Sequence, residues 1–198
     1  MTRDRIFAAA KEIFEKDGLD GLSIRSVGRQ AGLSTMAMYR HFADKDALVD
    51  ALMQDGFAAW ESRVRAIDCD DPIDWLKRLM EAYLEFAVAE PHRFDAAFLL
   101  AARTARKYPD DFARGRSPAI GLAIQRIDDA KVQGRLKDVP SLDIALTMSA
   151  LAQGVISMHR AGRFAGEKDF RASYATSVAY GLAFFTDQTF TDQTGDTT

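Results

Sequence analysis

Residues 34–45 read "STMAMYRHFADK". Ser34 and Asp44 are both good N-cap residues, so a short helix starts after the first and another helix after the second. On the short helix Met38 and Phe42 are four apart and, with Leu33, point toward a core. Thr35 and Tyr39 form one row on the opposite face, and Met36 and Arg40 form another. That outward face offers a hydroxyl, a thioether, a phenol and a guanidinium, with His41 beside them. A solvated helix face accounts for such residues one at a time. The flanking sequence accounts for them together.

Upstream, Ser23 can cap a helix that turns Ile24, Val27 and Ala31 inward and ends at Gly32. The link "AGL" (31–33) is short enough for a helix-turn-helix, with Gly32 permitting the turn and Ala31 a close approach. In that motif the second helix enters the major groove while the first crosses the backbone. The outward residues suit the task. Arg40 can bridge the two major-groove acceptors of guanine, Thr35 can bond a base edge or a phosphate, and Ala37 or Met36 can touch a thymine methyl. Tyr39, His41, Lys45 and Arg25 suit phosphates.

Charge agrees with a local contact. Between Leu22 and Lys45, the cations Arg25, Arg29, Arg40 and Lys45 face one acid, Asp44, giving +3 in a chain of −3, so the remainder totals −6. Such a chain does not coat nucleic acid through bulk electrostatics. With 198 residues, 47% apolar and 28% charged, it can bury a proper core. The single Cys69 excludes a disulfide framework and a cysteine zinc site and fits a reducing compartment. The charged start, "MTRDRIFAAAKEIFEKDG", does not read as a secretory signal, and no run reaches the roughly 18–20 uncharged apolar residues of a membrane span. A soluble, cytoplasmic protein without membrane contact is expected.

The pattern is helical nearly throughout. Ile6, Phe7, Ala10, Ile13 and Phe14 repeat at helical spacing before Asp17-Gly18. A long helix runs from Lys45 to about Ile67, and Pro72 opens the next at its first position. In that helix Ile73, Leu76, Met80, Tyr83 and Ala87 form one apolar stripe, and Trp75, Leu79, Ala82 and Phe86 a second. Only Asp74, Lys77, Arg78, Glu81 and Glu85 are left as a polar strip, so the helix belongs inside a bundle. "HRFDAAFLLAARTARKY" (92–108) reads as a further helix up to Pro109. "SPAIGLAIQRIDDAKVQG" (117–134) has a Ser cap, a Pro at the first position and a Gly stop. Ile144–His159 and Ala172–Thr186 carry sixteen and fifteen residues without a charge. At about 1.5 Å per residue neither run spans a bilayer core of about 30 Å, so both need a protein partner to cover them. The expected fold is all-α, about nine helices: an N-terminal three-helix domain (1–45), a C-terminal bundle that senses a ligand and dimerises (46–187), and a disordered tail (188–198).

Residues 6–57 resemble the N-terminal domain of the TetR/AcrR family of one-component transcriptional regulators. The resemblance is carried by "IFAAAKEIFEKDGLDGLSIRSVGRQAGLS" and "MYRHFADKDALVDAL", whose spacing is long and position-specific. It implies that Ser23 and Arg25 are first-helix DNA contacts, that Thr35, Met36 and Ala37 read bases, and that Tyr39, His41 and Lys45 hold phosphates. Two positions depart from the family pattern. Gly28 replaces the usual alanine, which loosens its helix by up to about 1 kcal/mol, and Met38 replaces leucine, a near-isosteric swap. The rest of the chain resembles the family only loosely, through "EPHRFDAAF" and the lead-in "GRLKDVPSLDIALTMSALAQGVI".

The resemblance further implies a homodimer on a palindromic double-stranded operator, most often a repressor released by a small molecule. Candidate effector contacts are Trp75, Tyr83, Phe86, Phe94, Phe98 and Met148, which suit an apolar or aromatic ligand. His92 and His159 can orient a polar group of it. No nucleophile–base pair, paired carboxylate or metal cluster stands at recognisable spacing, so neither enzyme activity nor a cofactor is expected. A helical interaction module that has lost specific DNA binding is the alternative, and the intact Tyr39, His41 and Lys45 argue against it.

Overall fold

The computed structural model describes residues 2–186, and these contain ten helices and no strand. In the first three, a wedge is made from local signals. α1 (Thr2–Gly21) is broken by non-helical backbone at Gly18, where the sequence places a stop. α2 (Ile24–Gln30) and α3 (Thr35–Tyr39) follow, with seven and five residues. α4 (Lys45–Arg65), α5 (Pro72–Ala89) and α6 (Pro91–Phe98) come next. α7 (Asp110–Ala113) is one turn that the sequence reading did not contain. α8 (Pro118–Val132), α9 (Ser141–Arg160) and α10 (Glu167–Phe185) complete the chain. The expected disordered tail, 188–198, lies outside the described residues.

Two compact units divide the chain. One takes it up to Ala66 together with Glu85–Lys107, and the other takes Ile67–Leu84 and the chain from Tyr108 onward. In the first unit Ile6, Ala10, Leu22, Val27, Met38 and Phe42 share one core with Leu48, Val49 and Leu52 of α4 and Ala96 of α6. Fully burying such side chains is worth about 1.5–3 kcal/mol each, so the wedge is held by tertiary packing rather than by helix propensity.

α6 ends ten residues earlier than the apolar pattern suggests. Leu99 and Leu100 both donate their N–H to the Asp95 carbonyl, which closes the helix. The next residues are drawn away by partners on α4. Arg103 pairs with Asp44, Thr104 donates to Asp50, and Arg106 pairs with Glu61 while lying 4.2 Å over the Phe57 ring. Helical pattern in "AARTARKY" yields to these contacts.

In the second unit Ile73, Leu76, Met80 and Tyr83 of one α5 stripe and Trp75 and Leu79 of the other are buried while Ala82 is half-buried, and Asp74, Lys77, Arg78 and Glu81 are exposed, as the sequence divides them. The Tyr174 hydroxyl donates to the Met80 carbonyl at 2.7 Å, fixing α10 against α5. Ser117 sits at the N-cap position of α8 but makes no capping bond with its side chain. α9 corrects the length estimate made from its uncharged run. It has 20 residues, from before Asp143 to Arg160, and is long and apolar enough by length and composition to cross a membrane. Core helices pass the same test, and Ile144, Ala145, Met148, Ala152 and Ile156 of α9 are buried in the protein.

Candidate nucleic-acid interface

The geometry of the wedge follows from three caps and one turn. Ser23, in extended backbone, accepts the Ser26 N–H at 2.9 Å, and the Ser26 hydroxyl accepts the Ser23 N–H at 2.9 Å. This reciprocal capping box uses serine where glutamate or glutamine is usual. α2 ends in a Schellman turn. Leu33 donates to the Gly28 carbonyl at 2.8 Å and Gly32 to Arg29 at 3.2 Å, with Gly32 at φ 64°. That left-handed backbone suits glycine, which has no Cβ to clash. Ser34 then caps α3 by accepting the Ala37 N–H at 3.2 Å, and Asp44 caps α4 by accepting the Ala47 N–H at 2.8 Å.

The two departures from the family pattern are one feature. A Cβ placed on Gly28 would lie 3.0 Å from Met38 Cγ and 3.2 Å from the Leu33 carbonyl oxygen. Gly28 is therefore the space that Met38 fills as α3 packs on α2. The expected loosening of α2 omits this contact.

With Met38 and Phe42 buried, the opposite face of α3 is open. Met36 is 73% exposed and Tyr39 56%, Thr35, Arg40 and His41 are exposed, and Ala37 is half-buried. On the flanks Arg25, Arg29 and Lys45 are exposed and Ser23 is half-buried, its hydroxyl engaged in the cap. Lys45 uses one of its three donors on the Leu19 carbonyl, at 2.7 Å. None of Arg25, Arg29, Arg40 and Lys45 pairs with a carboxylate among the described residues. Of the nine sequence-derived candidates, the structure thus leaves Arg25, Thr35, Met36, Tyr39, Arg40, His41 and Lys45 exposed and Ser23 and Ala37 half-buried.

Two cations that the sequence did not single out contact residues of the wedge and the start of α4. The Arg3 guanidinium lies 5.4 Å over the Phe42 ring, at the end of the α3 turn. Arg103 bonds both oxygens of Asp44, at 3.1 Å each. The Ala47 N–H, with help from Arg103, holds the Asp44 carboxyl below the usual carboxylate range.

The six candidate effector contacts do not form one set. Phe86 and Phe94 are fully buried beside Trp60 and Phe98, with Trp60 stacked on Phe86 at 6.1 Å and Phe94 and Phe98 4.9 Å apart. These belong to the first unit. Trp75, Tyr83 and Met148 are buried in the second, where Arg126 lies 5.7 Å over the Trp75 ring and burial pushes the Tyr83 phenol up. A groove of 680 Å³ in the second unit runs between α5 and α10 over Ile73, Met80, Leu84, Val178 and Leu182, with Lys77, Glu81 and Arg135 at its polar edge. None of the six lines it. His92 meets the edge of Phe14 at 6.0 Å, and His159 stacks on Phe170 at 3.9 Å.

Comparison with known proteins agrees with this geometry. Residues 6–52 match the family described as bacterial regulatory proteins of the tetR family, and residues 76–180 match the tetracyclin repressor-like C-terminal domain. The chain is 29% identical over 167 residues to the HTH-type transcriptional repressor Rv1474c of Mycobacterium tuberculosis, covering 81% of this chain and 83% of that one. Against the repressor DrrR1 of Streptomyces coeruleorubidus it is 40% identical over 53 residues, and it spans only 20% of that relative's length. A solved protein of unknown function from Rhodococcus sp. RHA1 superposes with TM-score 0.73 at 26% identity, over 94% of this chain and 96% of the other. The fold is also that of SmeT in its complex with triclosan, with TM-score 0.64 at 19% identity over 94% and 92% of the two chains.

Proposed function

Because the chain belongs to the TetR family of transcriptional regulators, we propose that it is a homodimeric repressor whose two copies of α3 read a palindromic operator until a small apolar or aromatic effector releases it. The observation that carries the reading is the division of α3: one face is locked into the core by Met38 and Phe42, and the other offers Thr35, Met36, Tyr39, Arg40 and His41 to a groove. Thr35, Met36, Ala37 and Arg40 face bases. Ser23, Arg25, Tyr39, His41 and Lys45 hold the backbone. Residues 1–45 read DNA, and 46–187 sense the effector and dimerise.

Dimerisation is supported by the last two helices. Leu146, Leu151 and Met158 of α9 are exposed in the single chain, as are Tyr180 and Phe184 of α10, at 60% and 68%. Covering these apolar side chains with a second copy removes them from water. The two copies of α3 then meet half-sites about 34–36 Å apart, or a multiple of that. For the effector, the candidate contacts fall into two separate sets, Trp75, Tyr83 and Met148 in the second unit and Phe86, Phe94 and Phe98 in the first. All but Phe98 are packed tightly, so an apolar ligand reaches them by displacing side chains. A ligand that prefers one of two states about 100-fold supplies about 2.7 kcal/mol of switching. The protein carries out no chemistry of its own and works in the cytoplasm.

Selection from a randomised duplex pool tests the proposal. An inverted repeat should emerge, bound by a dimer in light scattering at micromolar concentration. A pool that stays unenriched, or a monomeric mass, overturns it.

A further inference from the structure

Three carboxylates crowd the start of α4, beside the phosphate contacts proposed above. Asp44 caps the helix, Asp46 lies in its first turn, and Asp50 follows one turn later. They flank Lys45 and stand a few residues from His41. A duplex approaching Lys45 brings phosphates to within about one Debye length of them, roughly 8 Å at physiological salt, where like charges repel.

One cation answers all three. The Arg103 guanidinium bonds Asp44 twice at 3.1 Å and lies 3.5 Å from Asp50 and 3.9 Å from Asp46. Its neighbour Thr104 donates its N–H and its hydroxyl to Asp50, at 3.2 and 3.0 Å. No other basic side chain pairs with any of the three among the described residues. Arg103 reaches them from the segment after α6, 59 residues on from Asp44. Its side chain is 53% exposed and that of Asp46 is 63%, and exposed ion pairs contribute little to stability. Their effect on the local field does not depend on that stability.

We propose that Arg103 is a charge shield for DNA binding. By offsetting part of the negative charge of Asp44, Asp46 and Asp50 it lets phosphates approach Lys45, His41 and Tyr39, and so raises affinity without touching the duplex. The inference rests on the placing of those three residues against the backbone, and the experiment separates the two ideas.

Full-length protein is titrated by fluorescence anisotropy with a mixed-sequence duplex of about 30 base pairs, since the effect is electrostatic and independent of sequence. Arg103→Gln should weaken binding about tenfold. Adding Asp46→Asn and Asp50→Asn to that variant should restore most of the loss. Asp44 is left intact because it caps α4. With Arg103 in place, Asp46→Asn/Asp50→Asn alone should tighten binding about threefold, a readout that does not depend on how Arg103→Gln folds. Tyr39→Ala serves as the control. If it weakens binding while Arg103→Gln does not, the shield is wrong and the wedge reading stands. If Arg103→Gln weakens binding and the two asparagines restore nothing, Arg103 acts by direct contact or by holding the fold, and the shield is again wrong. If the asparagines fail to tighten binding of the native-Arg103 protein, the three acids do not repel the duplex. If Tyr39→Ala changes nothing, the wedge reading falls and the shield with it.

Discussion

In the wedge large side chains are kept at the surface, and in the aromatic cluster of the same unit each ring finds another. Met36 and Tyr39 lie open on α3, while Phe57, Trp60, Phe86, Phe94 and Phe98 meet across α4, α5 and α6 at centroid separations of 4.9 to 6.5 Å. The helix ends of the wedge are set by short-range devices, two serine caps, an aspartate cap and a glycine turn, each spanning three to five residues, while its inner face is packed into the core of the unit. The cluster is held by contacts between residues up to 41 positions apart, from Phe57 to Phe98. A surface that must be presented is thus built locally. Ordinary stability is built from distant pieces.

The largest effect that sharpens this contrast belongs to the cluster. Phe94→Ala should cost about 3–5 kcal/mol of folding free energy, measured by urea unfolding, because Phe94 is fully buried among the other rings. A cost below about 1 kcal/mol would mean that the cluster collapses around the gap and is not close-packed.

The wedge should respond in the opposite way. Arg40→Ala or Thr35→Ala should lose about 1–3 kcal/mol of discrimination at one base position and leave the melting temperature unchanged. Tyr39→Ala should weaken binding to all duplexes alike at about 150 mM salt. A melting temperature that falls with either would show that the open face of α3 also supports the fold.

Inside the wedge lies the Gly28–Met38 contact. Alanine in a helix interior gains about 1 kcal/mol over glycine, but here its Cβ meets Met38 and a backbone oxygen. Gly28→Ala should therefore fail to stabilise the protein, and a cycle with Met38→Ala should show coupling of about 1 kcal/mol. Additive effects would mean that Met38 shifts aside freely.

What could be read from the sequence follows the same division. Ser23, Ser34 and Asp44 were legible as caps because a cap joins a side chain to an N–H only three residues on. The exposed face of α3 and the two stripes of α5 were legible from periodicity. Arg103 was not, because its partners lie on another helix, and the pattern that makes "LLAARTARKY" look helical says nothing about them. The same limit applies to the aromatic candidates. Apolar spacing marks a residue as buried, but it does not say that Phe94 and Tyr83 belong to different compact units, or that Met80 and Leu84 of the same helix line the groove beside α10.

The smallest effect concerns the ion pairs that join α1, α4 and α6. Asp55 of α4 accepts from Arg93 of α6 at 2.7 and 3.1 Å and lies 3.2 Å from Lys11 of α1, while Arg93 also reaches Glu90 at 2.7 Å. Burial pushes the Asp55 carboxyl up, but the bonds from Arg93 and Lys11 outweigh it and leave it below the usual carboxylate range, and Arg93 holds Glu90 low as well. Carboxyls depressed in the folded state contribute fully where the unfolded carboxylates are ionised, above about pH 4.5. That contribution is lost as the pH falls through the folded values. Asp55→Asn should therefore cost about 1 kcal/mol or less at pH 7, and the gap from the native protein should narrow steadily as the pH falls below the usual carboxylate range. A gap that persists unchanged in acid would mean that Asp55 acts through packing, which would make the joint beneath the wedge resemble the aromatic cluster rather than a set of polar ties.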